Sequence, residues 1–330
     1  MKRTTGLVVA AVLGLSTLAG CSSGRGGDQG ATVPAGAANA AAPAAEGTFA
    51  VITHASAGDA FWDVVKNGAE AAGKRYGVTV TYQGDGDPAR QSQLIDQAVS
   101  QKVDGIVVSM ANPDALKEAV GKAVAARIPV ITINSGGDFS REFGAITHVG
   151  QSEDVAGRGA GEKLKAEGVT KLLCVIHEAG NVGLDQRCNG ATKGLGGTVE
   201  RLQVDVGNLA DATSKIKARL QSDPSLNGVL TLNPAVAVAA RDAIADAGSA
   251  AKLGTFDLSA DVVAAIRDGE VLFAVDQQQY LQGWLPITFL VLYKENLNTV
   301  GGGLPVNTGP GFVTKDNAEQ VAKLAENGTR

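Results

Sequence analysis

The residues best placed to do chemistry in this chain are a carboxylate and an amide. Within Leu253–Gly283 the apolar run Leu253–Phe256 stops at Asp257, and the run Val271–Val275 stops at Asp276-Gln277. Short apolar runs bounded by polar residues and separated by a helical pattern read as strand, helix, strand, helix. Both strands then finish at the carboxyl edge of a parallel sheet, where ligands of open α/β sheets sit. There Asp257 accepts hydrogen bonds and Gln277 both accepts and donates them. That pair suits the hydroxyls of a small polyhydroxylated molecule and requires no bond to break. The accompaniments of catalysis are missing: there is no Gly-x-Ser-x-Gly elbow, and His54, His148 and His177 have no convincing nucleophile partner. The run Gly157, Gly159, Gly161 opens no phosphate loop and fits helix packing better. Three His and three Cys, scattered along the chain, make no zinc set, and no cofactor is expected. The sequence predicts a binding protein and not an enzyme.

The elements that must hold these residues alternate along the chain. Strands are predicted at 48–53, 78–82, 104–109 and 128–133, with helices at 60–76, 88–101 and 113–127 between them. Four βα units in succession require a parallel sheet with right-handed crossovers. The pattern then restarts, with strands at 145–149, 171–176, 199–204, 228–232, 253–256 and 271–275 and helices between. About ten alternations exceed what one open sheet usually carries, so the predicted fold is α/β with two lobes. No short sequence repeat is visible; what recurs is the supersecondary unit.

The first 47 residues carry an address. Lys2-Arg3, the apolar run Leu7–Leu15 and the small residues that follow form a signal peptide over residues 1–20, the apolar run being too short to span a membrane. Leu18-Ala19-Gly20-Cys21 resembles the bacterial lipoprotein signal, which implies lipidation of Cys21. Residues 21–47, rich in Ser, Gly, Ala and Pro, read as a flexible tether. The expected location is outside the cell membrane, periplasmic or at the cell surface, anchored by lipid. The net charge of -5 becomes more negative once Lys2 and Arg3 are removed, which argues against nucleic acid. At 44% hydrophobic and only 4% aromatic over 330 residues, the chain has the composition of Ala/Val/Gly-packed α/β layers.

From Thr48 to Asn317 the chain resembles the ribose-type periplasmic binding proteins, the sugar receptors of ABC importers. The resemblance rests on Gly58-Asp59-Ala60-Phe61-Trp62, Ala126–Ile131, Ala156–Gly161, Arg187, Gly190, Gly254–Asp257 and Gln277. It implies two doubly wound parallel-sheet lobes with a hinge, 48–150 plus 278–307 and 151–277 plus 308–330, closing over ligand. It also implies a ligand set of Asp59, Phe61, Trp62, Asn134, Arg187, Asn233, Asp257 and Gln277. Phe61 and Trp62 would clamp a sugar ring, with one of them as helix core the alternative. Arg187 would aim its five donors at adjacent hydroxyls, or stand solvated. Asn134 would meet hydroxyls or make an Asx turn. Asp59, Asn134 and Pro234 depart from the residues ribose receptors use, so a different sugar or polyol is expected. His54 and Glu178, also at strand ends, either reach ligand or remain solvated.

Cys174 and Cys188 lie one βα loop apart, within the roughly 4.4–6.8 Å Cα separation a disulfide needs if strand and helix pack. In an exported protein they are expected to pair; two buried thiols are the alternative. The expected partners are a neutral sugar or polyol, the importer permease and, through lipid, a membrane, with the protein itself a monomer. A sensor that presents ligand to a membrane receptor, or a binder of a nucleoside, remains open.

Overall fold

A computed structural model describes residues 46–56 and 59–330; Cys21, the signal segment, nearly all of the tether and Gly58 lie outside the described residues. In chain order the first part runs β1 (Thr48–Thr53), α1 (Ala60–Tyr76), β2 (Thr79–Gly84), α2 (Pro88–Ser100), β3 (Gly105–Ser109), α3 (Pro113–Ala125), β4 (Val130–Ile133), the single turn α4 (Gly137–Ser140) and β5 (Thr147–Gly150). The second runs α5 (Glu153–Ala166), β6 (Lys171–Ile176), α6 (Val182–Leu195), β7 (Thr198–Gln203), α7 (Leu209–Ser222), β8 (Gly228–Thr231), α8 (Pro234–Ala247), β9 (Lys252–Phe256), α9 (Ala260–Asp268) and β10 (Phe273–Asp276). After these come α10 (Gln279–Asn296), β11 (Val306–Asn307), β12 (Gly311–Thr314) and α11 (Ala318–Glu326).

Two six-stranded sheets result, ordered β11-β5-β4-β3-β1-β2 and β12-β10-β9-β8-β6-β7. The winding is the same in both, so each of β1–β5 has a counterpart five strands later, and β11 takes the edge place that β12 takes in the second sheet. Each sheet is apolar on both faces because helices cover both. On β1, Phe49 and Val51 pack toward α1 and α10, while Ala50 and Ile52 pack toward α2 and α3. Three connections pass between the lobes: after β5, after β10, and between β11 and β12. The pairing is parallel except at β12, which runs antiparallel to β10. β11 and β12 were not anticipated from sequence; they are short, interrupted by Gly309-Pro310, and pair with partners distant in the chain.

Glycines set the helix-to-helix distances. On α5, a Cβ at Gly157 would lie 2.1 Å from the Arg187 carbonyl oxygen, and on α6 a Cβ at Gly190 would lie 2.2 Å from the Asp154 carbonyl oxygen. α1 and α10 repeat the device through Gly68 and Gly283. The glycine run noted in the sequence therefore brings α5 against the backbone of Arg187. Gly157→Ala is expected to cost about 1–3 kcal/mol through overpacking. In contrast, Gly121→Ala, inside α3 with nothing within 4 Å of the added Cβ, should gain about 0.5–1 kcal/mol from helix propensity. Urea melts of the two variants check this; equal midpoints would contradict the close-packing account.

Candidate ligand-binding cleft

The carboxyl edges of the two sheets face each other, and the loops there close around a narrow cavity of about 30 Å³. That is room for a water or two, far below the roughly 300–1,000 Å³ of small-molecule sites, so a ring enters only if the lobes part or lining side chains move. All ten side chains singled out from sequence line it: Asp59, Phe61, Trp62, Asn134, Arg187, Asn233, Asp257 and Gln277, with His54 and Glu178. Past His54, Trp62 and Glu178 the cavity meets a wider recess of about 460 Å³.

Helix caps and strand tips position the polar groups. Asp59 caps α1, accepting from the Phe61 amide at 3.1 Å, and Asn233 caps α8, accepting from the Ala235 amide at 2.8 Å. Pro234 at the first turn of α8 needs no amide partner there, which explains the Asn-Pro pair. Across the cleft, Asn233 Nδ2 donates to Asp59 Oδ1 at 3.2 Å. Asn134 after β4 and Asp257 after β9 occupy equivalent places in the two lobes, with φ of +59° and +69°. Asn and Asp tolerate this left-handed conformation better than other side-chain-bearing residues. The turn at Asn134 thus aims its amide at the cleft.

A polar chain joins the lobes. Ser135 Oγ donates to Asn134 Oδ1 at 3.0 Å, Asn134 Nδ2 to Gln277 Oε1 at 3.0 Å, and Gln277 Nε2 to Asp257 Oδ1 at 2.8 Å. Asp257 Oδ2 lies 3.8 Å from Arg187 Nη1. Arg187 is buried, stacked 4.5 Å from the centre of the Phe256 ring. Its fork is not free: Nε donates to Glu153 Oε2 at 2.6 Å and Nη2 to Glu153 Oε1 at 2.9 Å. The five-donor expectation is therefore corrected, because the Nε–Nη2 edge of the guanidinium is turned onto Glu153, and Nη1, which donates to the Leu232 carbonyl at 3.4 Å, is the nitrogen left toward Asp257.

The aromatic wall is mixed in role. Phe61 and Trp62 both belong to the apolar core beneath α1, meet edge to face at 4.9 Å, and still border the cavity. His54 is buried and not solvated: its Nδ1 bonds Ser109 Oγ at 2.7 Å, and its ring meets the edge of Trp62. Glu178 is only partly covered and accepts from Asn181 Nδ2 at 2.8 Å. Sequence reasoning missed Ser135, His177, Asn181, Leu184 and Leu232, which also line the cavity. The lobe equivalence would have found two of them, since His177 follows β6 as His54 follows β1, and Asn181 caps α6 as Asp59 caps α1.

Burial raises the carboxyl pKa of Asp257 to about 7, with Arg187 and the Gln277 hydrogen bond opposing the rise, and burial also raises that of Asp59. The three buried histidines shift the other way: His177 is lowered to about 3 and His148 to about 4, and His54 is also lowered. A carboxyl whose pKa is raised on folding contributes stability that is fully present below about 4 and lost as pH rises through about 7. The native protein should therefore gain melting temperature relative to Asp257→Asn as pH falls from about 7 toward 4, a difference that cancels the histidines. A flat or opposite difference would contradict a protonated Asp257.

Cys174 on β6 and Cys188 on α6, the residue after Arg187, are bonded, with Cα atoms 6.0 Å apart. The bridge lies inside the apolar layer between that strand and helix.

Residues 49–296 match the periplasmic binding protein domain family. A carbohydrate transporter from Acidothermus cellulolyticus 11B, solved in complex with myo-inositol, is 44% identical with a TM-score of 0.85, over 86% of this chain and 100% of that one. The ribose import binding protein RbsB of Bacillus subtilis is 27% identical over 68% of this chain and 74% of its own length. The xylose/arabinose-binding protein XylF of Sulfolobus acidocaldarius is 25% identical over 68% of this chain, and the match spans 60% of that protein. With two lobes, a polar interlobe cavity and this match over three quarters of its length, the chain belongs to the periplasmic binding protein domain family, whose members bind solutes and are not enzymes.

Proposed function

We propose that this protein captures a neutral cyclic polyol or monosaccharide between its lobes and delivers it to an ABC importer. The observation that carries the proposal is the chain Asn134–Gln277–Asp257–Arg187, which crosses the lobes and alternates donors with acceptors. Ligand hydroxyls that replace parts of this chain bind both lobes at once and favour the closed arrangement. In this reading the lobes are 48–150 with 278–307 and 151–277 with 308–330. Asp59, Phe61, Trp62 and Asn134 serve the ligand from the first; Arg187, Asn233 and Asp257 serve it from the second, with Gln277 at the hinge and His54 and Glu178 at the mouth.

The first ligand candidate is myo-inositol, on which the 44% identical Acidothermus cellulolyticus 11B protein was solved. Within the ribose-type group, Asp59, Asn134 and Pro234 favour a ligand other than ribose. The protein works as an exported monomer held outside the membrane by lipid on Cys21, with residues 22–47 as tether. Thermal melting of the body from Gly47 onward against myo-inositol, hexoses, pentoses, linear polyols, nucleosides and amino acids tests this. A ligand at 100 times its Kd adds about 2.7 kcal/mol, a shift of several degrees. A shift with a polyol or sugar is the expected result. A shift confined to a nucleoside or amino acid overturns the ligand class, and no shift at all overturns the reading.

A further inference from the structure

We propose that Glu153, outside the cavity, is a positioning residue that makes the cleft select neutral ligands over their carboxylated counterparts; this rests on the reading of the cleft as a polyol site. Glu153 opens α5, in the lobe that also carries Arg187, and its side chain is only 4% exposed. Its two oxygens take Nε and Nη2 of Arg187 in a bidentate pair, and Oε2 also accepts from Gln151 Nε2 at 2.9 Å. Three donors therefore hold the carboxylate in one orientation, and the carboxylate holds the guanidinium. α5 can bring Glu153 this close because Gly157 lets its backbone touch that of Arg187.

Two consequences follow for a ligand. The first is geometric: Nε and Nη2 are taken by Glu153, and Nη1 donates to the Leu232 carbonyl at 3.4 Å and lies 3.8 Å from Asp257 Oδ2, so every guanidinium nitrogen already has a partner and a ligand carboxylate must compete for the fork-to-fork grip that makes arginine an anion receptor. The second is electrostatic: among the described residues the one cation lining the cavity, Arg187, is already paired with Glu153, while Asp59, Glu178 and Asp257 line the same space. A ligand anion would lose its hydration and find no uncompensated positive charge, which is how a site rejects a competitor as well as attracts its ligand. Hydroxyls lose little by comparison, because Asp257, Gln277 and Asn134 pair with them.

The test pairs neutral probes with acids of nearly the same shape: D-glucose with D-glucuronate, D-galactose with D-galacturonate, and myo-inositol alongside. Titration calorimetry measures each on the native protein, on Glu153→Gln and on Glu153→Asp. Native protein should bind its best neutral probe at least a hundredfold more tightly than either uronate. Glu153→Gln, which keeps one acceptor for Arg187 and removes the charge, should narrow that ratio at least tenfold. Glu153→Asp keeps the charge on a shorter stem and should weaken both members of a pair while preserving the ratio. A purely structural role would lower both affinities together in Glu153→Gln, so an unchanged ratio there overturns the proposal, as does native protein that takes a uronate as tightly as its neutral partner. Native protein that binds no neutral probe overturns the functional reading itself, and this inference with it.

Discussion

Asp257→Ala will weaken binding of the neutral ligand by a hundredfold or more. Asp257 ends β9, is 2% exposed, and stands between Gln277 Nε2 and Arg187 Nη1. In the proposed reading, a ligand hydroxyl entering the cleft meets this carboxyl as its main acceptor. Measured well above pH 7, where this carboxyl is ionised, each hydrogen bond to it is worth about 1.5–3 kcal/mol, so two lost bonds exceed a hundredfold in Kd. Truncation also leaves Arg187 and Gln277 facing an empty space. Alanine carries a further cost of about 1–2 kcal/mol in the left-handed conformation at this position, which lowers stability independently of ligand. Asp257→Asn supplies the control: it tolerates that backbone, retains one acceptor oxygen, and should lose about tenfold. Calorimetric titration with myo-inositol, or whichever polyol gives the largest thermal shift, measures both; affinities within twofold of native would remove Asp257 from the site.

Breaking the Cys174–Cys188 bond will lower the stability of the folded body by about 3 kcal/mol. The bridge closes a loop with a sequence separation of 14 residues, and the chain-entropy model assigns roughly that stabilisation to a loop of about 15. Two measurements separate the bond from the packing of its sulfurs. Reduced native protein keeps both sulfurs and loses only the bond, whereas Cys174→Ala with Cys188→Ala also leaves small cavities in a layer where both residues are 0% exposed. Urea midpoints should therefore fall in the order oxidised, reduced, double alanine. Because Cys188 follows Arg187 directly, ligand affinity should fall as well, by less than it does in Asp257→Ala. Identical midpoints for oxidised and reduced protein would show that the bridge contributes nothing to stability.

The central strands were legible because each is a short apolar run closed by a polar residue, and a strand buried on both faces leaves no other pattern; the edge strands β2 and β7, half exposed, were legible by alternation with helices. β1 and β6 emerge with the bounds their apolar runs predict. β11 and β12 were not legible: with two and four residues they acquire their identity only by pairing with β5 and β10 far back in the chain. The same division holds in the cleft. Asp257, Gln277 and Asn134 could be read from sequence because they follow apolar runs, and strand tips are where an α/β sheet exposes side chains. The direction of Arg187 could not be read, since it depends on Glu153, which in sequence is an ordinary acidic residue in the first turn of a helix. Only the approach of α5 to α6 through Gly157 and Gly190 makes the two a pair. His54 was legible in position and not in state, because its burial depends on how α1 turns Trp62 back over it and its bond to Ser109 comes from β3, distant in sequence.

The most direct test of the central claim is a crystal structure of the body from Gly47 onward grown with saturating myo-inositol. The account predicts one molecule in the interlobe cavity, bordered by Phe61 and Trp62, with hydroxyls within about 3 Å of the Asp257 and Gln277 side chains and of Arg187 Nη1. A ligand bound on an outer face of either lobe, or within the cleft but without contact to Asp257, would contradict it.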